Sequence, residues 1–335
     1  MAIKLDLEDI DLKDRKILYE LDVDSRQSNA EIARKVGLSK QVVGFRIKRL
    51  VKEGLISWFY SIIDISKLGF TIHKNFLRLQ DVDKEKETEL IAFLKNHPHV
   101  VWVASCDGKY DLAFGTWAKD MAFLDKTLAE LDHQFGVYIS ERQIAPIIRG
   151  EYFFRDYLIP EKEPSALRKS FFGAVPTPIE MDAQDWKILT TLANHARITT
   201  VELGVQLKMS ADAVSKRIQK LQAAGVIRHY NIVPNETVYP YLHYKILMGL
   251  KNLSEKREKE LMEYCRVQPN MVYIVKALGP WEFEIDMEVE SAQQLREIMM
   301  DLKTKFKDII KDYSSLHIYQ VHKYNFCPSK KNEGN

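Results

Sequence analysis

The sequence predicts an α+β protein in which two winged helix-turn-helix domains alternate with two ferredoxin-like βαββαβ domains. Three observations predict it. The chain repeats itself at a fixed offset of 171 residues. Each repeat opens with helical periodicity, a tight glycine turn and a basic helix. Each then continues as strand, helix, strand, strand, helix, strand.

The repeat needs no gap. Asp11 meets Asp182, Asp14 meets Asp185, Arg26 meets Arg197 and Glu31 meets Glu202. Ser39 meets Ser210, Arg46-Ile47 meets Arg217-Ile218, and Gly54 meets Gly225. The register runs on through Pro98/Pro269, Gly108/Gly279 and Phe135/Phe306, about 125 positions at one offset. Chance does not hold one offset that long, so the chain is a tandem duplication.

In the first copy, residues 11 to 24 carry apolar Ile17, Leu18 and Leu21 at helical spacing. Residues 28 to 36 form a second helix, with Ser28 or Asn29 as its N-cap. Gly37 breaks the chain, Ser39 caps a third helix and Gly54 closes it. LISWFYSII, residues 55 to 63, is β-rich and suits a wing or a linker strand. TIHKNFLRLQ is a strand and KEKETELIAFLKN an amphipathic helix. VVWVAS and LAFGTW form a hairpin about the Asp107-Gly108 turn. MAFLDKTLAELDHQF is a helix and GVYISERQIAPII the last strand. The second copy repeats this plan over residues 242 to 326. The expected division is therefore a winged helix-turn-helix at 1–63, a βαββαβ domain at 64–156, a proline-rich linker at 157–180, a second helix-turn-helix at 181–234, a second βαββαβ domain at 235–327 and a tail at 328–335.

The 335-residue chain has 46% apolar residues, enough for real cores, and a formal net charge of only +2, so any basic surface is local. Its three cysteines, Cys106, Cys265 and Cys327, are scattered and form no CxxC, which suits a reducing cytosol. The N-terminus is acidic without a long apolar run, and no stretch approaches a membrane span, so a cytoplasmic protein with no membrane partner is expected.

The third helix carries the local charge. Between Arg34 and Lys52 there are seven basic residues and no acid. Val43, Ile47 and Leu50 share one face, while Gln41, Phe45, Lys48, Arg49 and Lys52 point away from it. A helix of this kind fits the major groove of double-stranded DNA, its Lys and Arg drawn to phosphates. Gln41 is suited to a base edge and Phe45 to a thymine methyl. The DNA-facing set is Ser39, Lys40, Gln41, Val42, Phe45, Arg46, Lys48, Arg49 and Lys52. Arg46 lies at the edge of the apolar face and suits a structural pair with an acid such as Asp14 as well as a base contact. The second copy offers Ser210, Lys216, Arg217 and Lys220, but places Asp212 where the first has Gln41. Its head is expected to read a different half-site or to bind poorly.

DLKDRKILYEL followed by AEIARKVGLSKQVVGFRIKRLVKEGLI resembles the DNA-binding half of the Lrp/AsnC, or feast/famine, transcription regulators. HPHVVWVASCDGKYDLAF is similar to their effector-binding RAM domain. The resemblance covers nearly the whole chain, twice. Family members carry one copy and dimerise through their RAM sheets, so it implies a pseudo-dimer within one polypeptide, with two such chains pairing as a homodimer. It also implies a small-molecule effector, amino-acid-like, near Gly108, Tyr110 and Asp111 and near Gly279, Trp281 and Glu282. Asp111 is suited to an ammonium group. Pro280 and Trp281 make the second site unlike the first, and a plain hairpin turn with Tyr110 and Trp281 packed between sheets is the alternative.

Siroheme decarboxylases also resemble Lrp/AsnC proteins and act as paired or fused copies. The Tyr-Asn-Leu/Met-Trp/Phe run associated with them is absent; the chain reads Lys109-Tyr110-Asp111-Leu112-Ala113-Phe114. A scaffold without DNA binding is a third class, opposed by the basic third helix. His97-Pro98-His99 lacks further ligands for a metal. No P-loop, GxGxxG, HExxH or GxSxG is present. The expectation is a regulator, not an enzyme, with no cofactor and no metal.

Overall fold

The computed structural model describes residues 6, 9–160, 162, 169–173 and 175–327. The expected tail lies outside them. The first head consists of α1 (Leu12–Val23), α2 (Asn29–Val36) and α3 (Lys40–Lys52). Their starts are set by side-chain caps: Asp11 accepts from the Asp14 amide, Ser39 from the Val42 amide, and Ser28 forms a reciprocal capping box with Glu31. Gly37 takes φ 66° in the turn between α2 and α3, a conformation that favours glycine. Ile17, Leu18, Leu21, Ile32, Val43, Ile47 and Leu50 fill the head's core, each contributing roughly 1.5–3 kcal/mol by leaving water. The second head, α6 (Ala183–Leu192), α7 (Thr200–Leu207) and α8 (Ala211–Ala223), repeats the arrangement with Asp182, Thr199 and Ser210 as caps.

The strand after the third helix of each head is a linker rather than a hairpin wing. β1 (Ile56–Ile63) pairs antiparallel with β7 (Ile227–Pro234), and the ribbon joins the two heads. Arg26 donates to the Ile198 carbonyl at 2.9 Å, and its repeat partner Arg197 donates to the Gln27 carbonyl at 3.3 Å. This reciprocal lock accounts for an arginine at the same place in both copies.

The first βαββαβ domain holds β2 (Thr71–Leu79), α4 (Lys84–Asn96), β3 (Val100–Asp107), β4 (Leu112–Ala118), α5 (Met121–Phe135) and β5 (Ile139–Phe153). The second holds β8 (Leu242–Leu250), α9 (Glu255–Val267), β9 (Met271–Ala277), β10 (Phe283–Val289), α10 (Ala292–Lys305) and β11 (Ile310–Tyr324). Each last strand is 15 residues long because it serves two sheets. β11 pairs with β8 in its own domain and β3 in the other, while β5 pairs with β2 and with β9. The eight strands close in the order β2-β4-β3-β11-β8-β10-β9-β5, with β5 returning to β2. Closure removes the open edges that a single copy would expose. The helices lie outside, over two apolar clusters, and the inner faces pack on each other.

Within the expected linker a short strand, β6 (Lys169–Phe172), adds to β5 opposite Gly150–Phe153. Gly150 makes room for it: a Cβ there would lie 2.2 Å from the Phe172 ring. The prolines around this segment concealed the strand from the sequence.

Candidate nucleic-acid interface

α3 is held by its buried face and by a clamp of acids from α1. Arg46 donates to Asp11 at 2.7 Å and Asp14 at 2.8 Å, and Arg49 pairs with the other oxygen of Asp14. Asp14 is buried. Hydrogen bonds to these two acids raise the Arg46 pKa above its ordinary value, so its charge is fixed. The second copy has the same clamp: Arg217 meets Asp182 and Asp185 at 2.7 Å each, and Lys220 lies 3.5 Å from Asp185. Arg46 and Arg217 thus orient α3 and α8, and Arg49, placed among the DNA-facing residues from sequence, shares that work.

The exposed face of α3 presents Lys40, Gln41, Val42, Phe45, Lys48 and Lys52, with Ser39 spent on the cap. Phe45 is 68% exposed. Among the described residues, Lys40, Lys48 and Lys52 have no acid within ion-pair distance. α8 differs. Asp212 and Lys216 pair with each other at 2.9 Å on the exposed face, which cancels one positive charge, and Ser210 is likewise spent on its cap. The two heads present the same backbone and unequal charge.

The turn residues meet each other inside the molecule. Tyr110 and Trp281 are buried, their ring centroids 6.3 Å apart, and Trp281 stands edge-on to Phe76 at 4.9 Å. The Asp111 carboxylate accepts from the Leu79 amide at 2.7 Å, and Glu282 accepts from the Leu250 amide at 2.6 Å. A Cβ on Gly108 would lie 2.8 Å from the Ser315 carbonyl, and one on Gly279 3.1 Å from the Ile144 carbonyl. Each glycine therefore lets a turn approach the long strand of the other copy.

His97 and His99 are absorbed locally. His97 Nε2 lies 3.0 Å from Glu130, its Nδ1 accepts from the His99 amide, and His99 Nδ1 lies 3.0 Å from Thr127. Burial lowers the His99 pKa to about 4. Burial likewise raises the Cys106 thiol to about 12, which leaves it unreactive at neutral pH.

Sequence reasoning missed a buried ionic network between the sheets. β10 points Glu284, Asp286 and Glu288 inward at a spacing of two. Lys74 pairs with Glu284, and Lys245 meets both oxygens of Asp286 at 2.7 and 2.6 Å. His243 lies 2.9 Å from Asp286 and 3.8 Å from Glu236. Burial opposes its charge, but hydrogen bonds to these two acids win and raise its pKa to about 9. Arg155 holds Glu288 with two bonds and also pairs with Asp22 of α1. The repeat partners of the three acids are Ala113, Gly115 and Trp117, so this network exists once per chain. The alternation FEIDMEVE was the available signal, obscured because it reads as a solvated strand face. A cavity of about 70 Å³ beside Lys74, His243, Lys245 and Tyr273 has room for about two waters.

Comparison with known proteins follows the same division. A family model described as winged helix-turn-helix DNA-binding matches residues 10–57 and 181–228. The leucine-responsive regulatory protein of Rhizobium meliloti is 29% identical over 144 residues, 43% of this chain and 92% of that protein. The HTH-type transcriptional regulator Ptr1 of Methanocaldococcus jannaschii is 35% identical over 121 residues, 36% of this chain and 80% of that protein. The proline dehydrogenase transcriptional activator of Rhodobacter capsulatus is 32% identical over 123 residues, 36% of this chain and 79% of that protein. In fold, the crystal structure of the siroheme decarboxylase NirDL covers 96% of this chain and 94% of its own at a TM-score of 0.59 and 14% identity. The three regulators align over most of their own length and under half of this chain, as one unit against two. On that evidence the chain belongs to the Lrp/AsnC family of transcription regulators and carries the family's unit twice.

Proposed function

We propose that this chain is a sequence-specific transcription regulator whose first head makes the stronger contact with double-stranded DNA. The observation that supports it best is the exposed face of α3, where Lys40, Lys48 and Lys52 have no acid among the described residues within ion-pair distance. The lysines attract phosphates, while Gln41, Val42 and Phe45 meet base edges and methyl groups. Arg46 and Arg49 hold the helix at the angle the groove requires. The second head, through Lys216 and Lys220 and with Arg217 as its clamp, reads a different half-site with lower affinity. An amino-acid-like effector acting through the RAM domains, pairing of two chains and a cytoplasmic location belong to the same reading.

The test is a fluorescence-anisotropy titration of labelled duplex with the wild type and with Lys48→Ala/Lys52→Ala. The variant should bind every sequence more weakly and lose about two units of salt slope, since each phosphate contact contributes about 0.9. Unchanged affinity and slope would refute the placement of this face on DNA.

The fold likeness to a siroheme decarboxylase supports an enzymatic second reading. The interior cavity of about 70 Å³ lies below the roughly 300 Å³ at which small-molecule sites begin, although the groove beside α4 is larger, about 850 Å³. The exposed basic face of α3 makes the regulator the better reading. An absorption spectrum of the purified chain discriminates: a tetrapyrrole band favours the enzyme.

A further inference from the structure

Ion pairs bridge helix to sheet in one copy, and among the described residues their counterparts in the other copy line an open groove. In the second copy α9 is stitched down by charge. Glu258 receives Arg149 of β5 at 2.9 Å and Lys276 of β9 at 2.7 Å. Arg266, two turns further along α9, meets Glu151 of β5 at 2.7 Å and also pairs with Glu263.

At the same offset α4 keeps the charges of α9: Glu87 stands for Glu258 and Lys95 for Arg266. The sheet beneath does not keep the counterions. Gln320 and Ser105 replace Arg149 and Lys276, His322 replaces Glu151, and Ala92 replaces Glu263. The register is the same, since Gln320 pairs with Ser105 as Arg149 pairs with Lys276. His322 is turned to Ser105, its Nε2 2.8 Å from the hydroxyl. Between α4 and the sheet lies a groove of about 850 Å³, lined by Glu87, Lys95, Ile91, Ser105, His322 and Asp111 among others. Its volume is in the range of small-molecule sites. Ile91 and Leu79 supply apolar wall between the charged ends.

Glu87 and Lys95 are eight residues apart, so about 12 Å along the helix axis. α4 runs antiparallel to β3, which places Asp107 and Asp111 toward the Glu87 end and His322 toward the Lys95 end. The groove is dipolar along its length. Its two helix charges lack the partners that their counterparts have.

We propose that this groove, and not its counterpart under α9, binds one extended zwitterion per chain, with its ammonium at Glu87 and its carboxylate at Lys95. An extended peptide spans about 3.3–3.6 Å per residue, so three residues fit, as does an ω-amino acid of equal length. The proposal deepens the effector reading: it names the copy, the residues and the ligand class. The two stand or fall separately, because ligand binding is measured without DNA.

Isothermal titration of the full chain with trialanine, and separately with 8-aminooctanoate, tests it. Saturable binding of either at one per chain is expected, and which one binds identifies a peptide or an ω-amino acid as the source. N-acetyl-trialanine amide, which lacks both charges, should bind at least about a hundredfold more weakly than trialanine, as each lost charged hydrogen bond costs about tenfold or more. Glu87→Gln and Lys95→Met should each reduce affinity by about tenfold or more. Ser105→Lys/Gln320→Arg restores the counterions found under α9, so it should keep or raise the melting temperature and abolish binding. Absence of saturable binding by both probes at millimolar concentration overturns the proposal, as does binding that survives in the well-folded Ser105→Lys/Gln320→Arg protein. DNA binding by the same sample, with no ligand binding, would overturn this inference alone.

Discussion

Arg155, at the end of the first sheet domain, grips Glu288 of the second with Nε and Nη2 at 2.8 and 2.9 Å, and its remaining nitrogen pairs with Asp22 of the first head. One guanidinium thus ties a DNA-binding head to the opposite sheet. Its repeat partner is Phe326; those of Asp22 and Glu288 are Ala193 and Trp117. There the second head joins the sheet interior through a continuous apolar cluster. The first head has an apolar cluster of its own and an ionic tether. The two heads differ in how they are attached as well as in what they present.

Arg155→Met should destabilise the protein by about 3–5 kcal/mol, because it leaves Asp22 and Glu288 buried without their cation. Urea unfolding of the variant measures this. Adding Glu288→Gln to Arg155→Met should recover part of the loss. A cost below about 1 kcal/mol would mean that the tether is solvated and of little consequence.

The interior network makes stability depend on pH. His243 has a folded-state pKa raised to about 9 from its ordinary 6.5. A group whose folded pKa is raised binds its proton more tightly when folded. Its contribution is fully present below about pH 6.5 and is lost as pH rises through about 9. The melting temperature should therefore fall across that window, and the fall should be shallower in His243→Gln. Equal slopes in both proteins would place the titration elsewhere.

Arg46→Ala should lower the stability of the first head before any effect on DNA is considered. It removes one bond from buried Asp14 and one from exposed Asp11, and leaves the Asp14 carboxylate to Arg49 alone. A loss of about 1–3 kcal/mol in chemical unfolding is expected for a buried acid so deprived. Full stability with weakened DNA binding would instead make Arg46 a contact residue.

Gln41→Ala should relax sequence preference by about 1–3 kcal/mol at one base pair and leave non-specific binding nearly unchanged. Competition between matched and single-mismatch duplexes reads this directly. A uniform loss across duplexes would make Gln41 a backbone contact.

Much of this architecture was legible in the chain. The caps at Ser28, one of two candidates, and Ser39, the Gly37 turn and the Val43-Ile47-Leu50 stripe are local signals, and each appears where its spacing predicts. The Asp107-Gly108 turn and the βαββαβ order are of the same kind. What joins one copy to the other was not legible. Nothing local says that β11 continues past its own sheet onto β3, or that β1 meets β7. Pairings between distant strands depend on the shape of both. The exposed face of α3 was readable from helical geometry, but the loss of Arg49 to Asp14 was not, since it depends on where α1 packs. Burial of Glu284, Asp286 and Glu288 was concealed for a further reason: alternating charge on a strand ordinarily means water.

Two unequal heads on one chain should read DNA together, and selection from a random duplex pool at two salt concentrations measures this. Enrichment of a spaced, two-part and asymmetric site is expected, with affinity that falls as salt rises. A symmetric palindrome would contradict the inequality of the heads, and no enrichment or binding at low salt would contradict the regulator itself.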